Sequence, residues 1–378
     1  MNTLMSAAAV LISALVLTGC ATPSYYAAGE DPLDGLTVPQ DWRLIADYER
    51  YDAARDLPKT VYFRGRKVER CVDDITGYAD ISRNGDWIGD SWCLEELSKW
   101  QGHPEVNAAG KQILLALAER DEIIHSRADY IHYTYFAAVH KLVLFYAAEK
   151  PRMNLTEAEQ QTIETWFLDR SRAQLRSDDP SRHPPCTAMT PKMYIDDCGS
   201  TRQRYTLLQL VTGLVTGDQA TFDRGIDSLK YVHQFIDDEG VYKGMAVRGG
   251  LAAHYHVSMS DWYSHYAEIM ATLGVDYMNY VTPSGVTMAD AFAFTFSIVE
   301  DNNTGPLLKY ATMNKGNKGY SHTILEKGPY RTGDPAEFRS RSARYFAEVT
   351  GEISPEAARG GFQAFWDTRA IYLANRRR

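Results

Sequence analysis

Residues 243–256 read Lys-Gly-Met-Ala-Val-Arg-Gly-Gly-Leu-Ala-Ala-His-Tyr-His, and an aromatic-rich helical pattern follows them directly. The stretch places Arg248 seven residues before Tyr255. If the helix extends back to Arg248, seven residues make about two turns, so both side chains lie on one face. A cation and a phenol on one face can hold an acid group and exchange a proton with a bound molecule. The alternative is structural, with Tyr255 packed in a core and Arg248 at a helix end.

Helical periodicity continues on both sides of this stretch. Apolar residues recur at three- and four-residue spacing, whereas strand-like alternation is scarce. Thr156 and Glu159 are spaced as a capping box at the start of one segment. The pattern predicts an all-α fold of helical hairpins closed into an (α/α) toroid or incomplete barrel, although a solenoid fits the same periodicity. Helices are predicted at residues 106–125, 130–149, 156–175, 201–216, 221–236, 256–273, 288–299, 335–350 and 355–375.

The N-terminus has the pattern of an export signal. Residues 1–19 carry no charge and include an apolar run at 4–17, which is too short to span a bilayer but suits a secretory signal. The run ends in Leu-Thr-Gly-Cys, which resembles a bacterial lipobox with Cys20 as the lipidated residue; a plain cleaved signal is the alternative. We therefore predict a signal peptide at 1–19, a tether at 20–40 and one domain at 41–378. The location would be the periplasm, with the lipid on Cys20 anchoring the protein to the outer membrane.

The charge of the chain limits its partners. A formal net charge of −9 over 378 residues argues against nucleic acid as a partner, and an anionic ligand would need a locally basic groove. Arg64 and Arg66 lie in a basic and aromatic segment that is either a solvated loop or a lid over an anionic substrate.

Four cysteines remain besides Cys20, and an even number in an oxidising compartment favours disulfides. Pairing between neighbours is the simplest of the three connectivities, which gives Cys71–Cys93 and Cys186–Cys198.

A second cationic cluster begins another predicted helix. Arg202 and Arg204 stand at its start, where free amides and the helix dipole favour anions. Pairing of these arginines with Asp196 and Asp197 is the alternative.

The segment from Asp238-Glu239-Gly240 through Arg248 to Tyr255-His256 resembles the alginate lyase family of polysaccharide lyases, family five and its relatives. In that family an Asp-Gly turn leads to a helix with an arginine and, seven residues later, a Tyr-His pair. The resemblance covers residues 90–300 and implies an (α/α) toroid whose groove binds an anionic uronate polymer and cleaves it by β-elimination. It also implies that Arg248 binds the acid group and that Tyr255 donates, and also accepts, the proton.

The family carries an Asn-Asn-His-x-Tyr-Trp motif on an earlier helix, where this chain reads Ser-Thr-Arg-Gln-Arg-Tyr at 200–205. The histidine position falls on Gln203 when the motifs are anchored on Tyr205, and on Thr201 without a gap. The histidine is absent in both alignments, so the substrate is not tied to alginate. Arg204 or Arg202 is the candidate replacement, because a fixed charge can neutralise the carboxylate.

The predicted catalytic residues are therefore Tyr255, Arg248 and Arg204. Two histidines two residues apart on a helix point about 200° apart, so no metal or other cofactor is predicted. Two other functions stay open: a glycan-binding lipoprotein with an inactive site in exopolysaccharide handling, and a toroid glycoside hydrolase with candidate acids Asp196, Asp197, Asp238 and Glu239. Substrate binding is assigned to Gln203, Arg202, His254, His256, Tyr205, Arg64 and Arg66.

Overall fold

The computed structural model describes residues 30–42, 62–63, 66–67, 72, 103–120, 131–172, 199–247, 252–301, 303 and 305–311. Within these ranges β1 (Tyr62–Phe63) and β2 (Arg66–Lys67) pair antiparallel, and the remaining regular structure is helical. None of the described helices is long and apolar enough to cross a membrane. The α-helices are α1 (Pro104–Arg120), α2 (Ile131–Glu149), α3 (Glu157–Ser171), α4 (Ser200–Thr216), α5 (Gln219–His233), α6 (Lys243–Ala246), α7 (Ala252–Thr272), α8 (Met288–Asp301) and α9 (Gly305–Ala311).

The helices predicted within these ranges are present, and α2 and α4 begin within one residue of the prediction. The capping box of α3 is confirmed: the Glu159 amide donates to Thr156 Oγ1 at 3.2 Å, and the Thr156 amide donates to the Glu159 carboxylate at 2.8 Å. Helix α7 begins four residues before the predicted start, so Tyr255 is helical. The predicted helices at 335–350 and 355–375 lie outside the described residues.

Helices α4 and α5 form a hairpin with a two-residue connection. Gly217 ends α4 in the left-handed conformation, with φ 74°, and Asp218 begins α5. The hairpin packs backbone against backbone, because a Cβ on Gly225 would lie 2.7 Å from the Leu210 amide nitrogen, and a Cβ on Gly213 would overlap the facing α5 backbone. These two glycines therefore set how closely the helices approach.

Helix α7 lies at the centre of the described core. It contacts α4, α6, α8, α9 and the 3₁₀ turn Tyr277–Asn279. Its Tyr263 is fully buried and packs against Tyr242 and Phe292, with ring centroids 6.5 and 5.6 Å away. These contacts fix the rotation of α7 about its axis and so determine which of its residues face outward.

Residues 30–42 pack along the helices as an N-terminal arm. Leu33 is 1% exposed and belongs to the hydrophobic core. Lys230 of α5 pairs with Asp31 at 3.1 Å and also with Asp34. The arm is therefore part of the folded domain.

This packing corrects the predicted tether. Residues 30–40 lie on the domain, and the Trp42 indole nitrogen donates to Thr272 Oγ1 at 2.8 Å. The prediction is wrong over this span because Leu33 is buried in the core and Asp31 and Asp34 pair with Lys230 of α5. Residues 20–29, Cys20 and the predicted signal peptide lie outside the described residues.

Candidate functional site

Tyr255, the predicted proton-transfer residue, lies in the first turn of α7. Its side chain is partly buried and packs against the hydrophobic core. Arg248 lies outside the described residues, so its pairing with Tyr255 on one helix face stays a prediction.

The α7 face that carries Tyr255 also carries Trp262 and Tyr266. These residues follow Tyr255 by seven and eleven positions, which places them within about 20° of it around the helix axis. The Arg204 guanidinium carbon lies 5.5 Å from the centre of the Trp262 ring, a cation–π contact. The Tyr266 hydroxyl donates to the Gln203 carbonyl oxygen at 2.7 Å and approaches Gln203 Oε1 at 2.8 Å. The face thus joins the start of α4 to the helix of Tyr255.

Arg202, two residues from Arg204, is buried and faces a different neighbour. It is 5% exposed, and its guanidinium carbon lies 5.1 Å from the centre of the Tyr231 ring. Burial raises the pKa of Tyr242, although the nearby Gln203 side chain and the charge of Arg202 oppose that rise. The substrate-binding role of Arg202 stays a prediction, and its side chain is largely buried against Tyr231. Arg204 is the more exposed of the two arginines.

Gln203 and Tyr205 are buried as well. Gln203 is fully buried, and Tyr205 is 5% exposed with its hydroxyl donating to the Ser171 carbonyl at 3.2 Å. Both substrate-binding roles stay predictions, and both side chains are buried because α4 packs against α3 and α7. Thr201, the other residue aligned with the family histidine, is 1% exposed.

His256 is fully buried beside Tyr255. Its Nε2 accepts from the Tyr242 amide at 2.7 Å, and its Nδ1 lies 3.3 Å from Thr295 Oγ1. Burial lowers the pKa of His256 to about 3, so the ring is neutral at neutral pH. The substrate-binding role of His256 stays a prediction, and both of its ring nitrogens face partners inside the core. His254 lies on α7, but its side chain is outside the described residues.

The remaining predicted residues are also outside the described part. Arg64, the four cysteines of the predicted disulfides and the two acids before α4 are outside the described residues. Of Arg66 only the backbone, in β2, is described. The predictions that stay open in this way concern Arg64, Arg66, Cys71, Cys93, Cys186, Cys198, Asp196 and Asp197.

Three acids lie together before α6, and two of them, Asp238 and Glu239, are predicted candidates for the hydrolase alternative. Oxygens of Asp237, Asp238 and Glu239 lie within 4.8 Å of one another, an arrangement that can hold a cation. The Asp237 carboxylate already accepts from the Tyr310 hydroxyl at 2.7 Å and pairs with Lys309 at 2.8 Å.

Burial alone would raise the pKa of Asp237, but hydrogen bonds from Lys309, Tyr310 and two backbone amides lower it below its usual range. A hydrolase general acid needs a raised pKa. Asp237 therefore ties the turn to α9, and its lowered pKa does not suit the general-acid role of a hydrolase.

Trp262 and Tyr266 are not among the residues predicted from the sequence, although their spacing from Tyr255 indicates a shared helix face. Both stand at helical spacing from Tyr255, and the same reasoning that paired Tyr255 with Arg248 extends forward along α7. The spacing could not show which residues of α4 contact Trp262 and Tyr266.

A cavity of about 510 Å³ lies elsewhere, where the N-terminal arm meets the C-terminal ends of α2 and α4. Its lining includes Trp42, Lys150, Glu164 and Gly217. None of the predicted site residues lines it, so it is separate from the α7 face.

A family model described as alginate lyase matches residues 118–304 of the chain. The match includes both Arg204 and Tyr255. Over these residues the chain is similar to the alginate lyase family, from which its sequence diverges. This similarity supports a polysaccharide lyase as the class of protein.

Two solved structures of alginate lyase A1-III resemble this chain in fold. The crystal structure of the enzyme from Sphingomonas species A1 is 16% identical, with 87% of this chain and 84% of that chain covered and a TM-score of 0.51. A histidine-to-alanine variant of A1-III complexed with a tetrasaccharide is 17% identical, with 82% of each chain covered and a TM-score of 0.50. None of the curated proteins compared with the chain matches it. The structural likeness confirms the predicted (α/α) toroid over the solenoid.

Proposed function

We propose that the protein is a polysaccharide lyase that cleaves a uronate-containing anionic polysaccharide by β-elimination and is not strictly specific for alginate. The observation that supports this most directly is the α7 face. There a partly exposed phenol, Tyr255, stands in line with Trp262, whose ring holds the Arg204 guanidinium. A phenol and a cation are the two groups that the reaction requires.

The reaction itself explains this requirement. A base takes the proton from C5 of the uronate, the C4–O bond breaks, a double bond forms between C4 and C5, and the departing oxygen receives a proton. The neighbouring carboxylate resists the negative charge that builds up, so the enzyme must neutralise it and stabilise the enolate-like state. In this chain a forked, permanently charged arginine, Arg204, takes the place of the family histidine.

Tyr255 acts as a base only if a cation lies close to it. A tyrosine has an unperturbed pKa of about 10, and a nearby positive charge lowers it. The positions of Tyr255 and Trp262 are about 10 Å apart along the helix axis. Because long helical side chains lean towards the N-terminus of their own helix, the Trp262 ring leans towards the turn of Tyr255, and the Arg204 guanidinium lies against that ring. Arg248 is the second cation, assigned from the family motif.

The buried residues around Arg204 hold it in place. The Tyr266–Gln203 hydrogen bonds join α7 to the start of α4, and the Tyr205–Ser171 bond joins α4 to α3. A reaction site is most effective when its charged group is fixed before the substrate arrives. Gln203 and Tyr205 therefore contribute as supports of Arg204.

The test is incubation with a panel of uronate polymers, with absorbance of the unsaturated sugar as the readout. A lyase produces that absorbance, and Tyr255→Phe is expected to abolish most of it. New reducing ends without the absorbance would point to the hydrolase instead. Binding without either product would point to the glycan-binding lipoprotein.

We also propose that the lyase acts in the periplasm, anchored to the outer membrane through a lipid on Cys20. The apolar run at 4–17 and the lipobox-like residues after it support this location. Cys20→Ser is expected to stay unacylated and to leave the membrane fraction, whereas the neighbouring Ala21→Ser should stay in it. Recovery of the wild-type protein soluble and without lipid would contradict the proposal.

A further inference from the structure

One buried hydrogen bond closes the stretch of chain that carries the predicted reaction residues. The Tyr242 amide donates to His256 Nε2 at 2.7 Å, across fourteen residues of sequence. Arg248 and Tyr255 both lie between these two residues. The bond therefore joins the two ends of the segment from Tyr242 to His256, which contains Arg248 and Tyr255.

The bond also decides where the proton of His256 resides. Since the amide donates to Nε2, that nitrogen carries the lone pair and a neutral ring must carry its proton on Nδ1. Nδ1 faces Thr295 Oγ1 at 3.3 Å, and the Thr295 hydroxyl can in turn donate to the Ala291 carbonyl at 3.2 Å. The low pKa of about 3 that burial gives His256 agrees with a neutral ring.

His256 connects three elements around Tyr255. Its ring packs edge-on against Phe294 of α8, with centroids 5.0 Å apart, while its Nε2 holds the chain just before α6. Adjacent helical residues point about 100° apart. Fixing His256 towards the core therefore fixes the direction of the Tyr255 side chain, which is partly exposed.

The other end of the loop is fixed by a second set of contacts. Tyr242 directly precedes α6, which leads towards Arg248. The turn before Tyr242 is held by Asp237, which pairs with Lys309 and Tyr310 of α9. The Tyr242–His256 bond thus joins a turn clamped to α9 with the first turn of α7.

We propose that His256 is a positioning residue for Tyr255. In its neutral, Nδ1-protonated form it accepts from the Tyr242 amide, holds the first turn of α7 against the chain before α6 and so sets the direction of the Tyr255 side chain. The inference rests on the proposed function for its kinetic consequence. Its structural content, the tautomer and the fixed orientation of Tyr255, is measurable without a substrate.

The experiment compares two substitutions of His256 with a matched control. His256→Gln keeps an acceptor near the position of Nε2, and His256→Leu removes it. The control is His233→Leu: His233 is also fully buried, burial lowers its pKa to about 3, and its Nε2 bonds the Tyr277 hydroxyl at 2.8 Å. His233 lies outside the loop from Tyr242 to His256, so its loss tests for general core damage.

Kinetics on the polymer that the wild type cleaves form the first readout. In His256→Leu, kcat is expected to fall about ten- to a hundredfold with KM nearly unchanged, because a misplaced reacting group slows the chemical step. His256→Gln should recover most of the loss, and His233→Leu should keep kcat close to the wild-type value. Unchanged kcat in His256→Leu, or an equal fall in His233→Leu, would overturn the inference.

Fluorotyrosine incorporated at position 255 gives a readout that needs no substrate. A single narrow ¹⁹F resonance is expected in the wild type, His256→Gln and His233→Leu, and a broadened or divided one in His256→Leu. If the wild type cleaves no uronate polymer, the proposed function fails, and this resonance still decides whether His256 orients Tyr255. Long-range ¹H–¹⁵N spectra of the unsubstituted protein should find Nδ1 protonated; a proton on Nε2 would refute the proposal.

Discussion

Tyr255 and Arg204 are the predicted reaction residues that stay partly exposed in the described part of the chain. Their near neighbours in sequence, Gln203 and His256, are instead fully buried and engaged by other core groups. Exposure therefore separates the residues that can meet a polymer from those that support them. This division directs the choice of substitutions.

Tyr255→Phe keeps the aromatic ring and removes only the hydroxyl. Turnover is expected to fall by about two to four orders of magnitude, the usual contribution of a positioned acid–base group, while polymer binding survives. Initial rates and a separate binding titration on one polymer would measure both quantities. Full activity in the variant would exclude Tyr255 as the proton-transfer residue.

Arg204→Ala should reduce both binding and rate, because the guanidinium meets the carboxylate in the ground state and more strongly in the transition state. Arg204→Lys should recover only part of the loss, since a point charge does not reproduce a forked contact. Arg224→Ala on α5 is the matched control, as Arg224 donates to Thr221 on its own helix. Equal losses in Arg204→Ala and Arg224→Ala would indicate a general charge effect.

The α4–α5 hairpin depends on backbone contact at its glycines. Gly225→Ala places a methyl group 2.7 Å from the Leu210 amide nitrogen, so the helices must separate. Helix propensity alone would favour alanine by about 1 kcal/mol. We nevertheless expect a net loss of about 1–3 kcal/mol in the free energy of unfolding, which is typical of an overpacked contact.

Urea unfolding monitored by circular dichroism measures this change. Gly305→Ala is the control, because a Cβ there meets no atom within 4 Å. Stabilisation by Gly225→Ala would show that the two helices do not pack as closely as described.

Two fully buried histidines, His233 and His256, couple the stability of the whole molecule to pH. Burial lowers the pKa of each to about 3, whereas a histidine in the unfolded chain titrates near about 6.5. The unfolded state thus binds more protons between these values, so the free energy of unfolding must fall as the pH falls through this range.

Urea titrations between about pH 7 and pH 4 should show this decline, and replacing both histidines by glutamine should flatten it. Stability that rises on acidification over the same interval would contradict the prediction.

Local features of the sequence determined the helices. The capping box at Thr156 and Glu159 is formed as predicted, because its two hydrogen bonds join residues only three apart. The position of Tyr255 on a helix face also follows from the sequence, since helical spacing is fixed by backbone geometry. The family resemblance came from motif spacing within the same region, and the matched residues confirm it.

Only the tertiary structure decided which polar residues are buried. Arg202 and Arg204 are two residues apart on α4, yet one stacks on Tyr231 of α5 and the other on Trp262 of α7. Likewise the arm at 30–42 reads as a linker but packs on α5 through Leu33. Burial depends on which distant elements cover a face. That choice is made by the packing of the whole chain, so no local pattern in the sequence contains it.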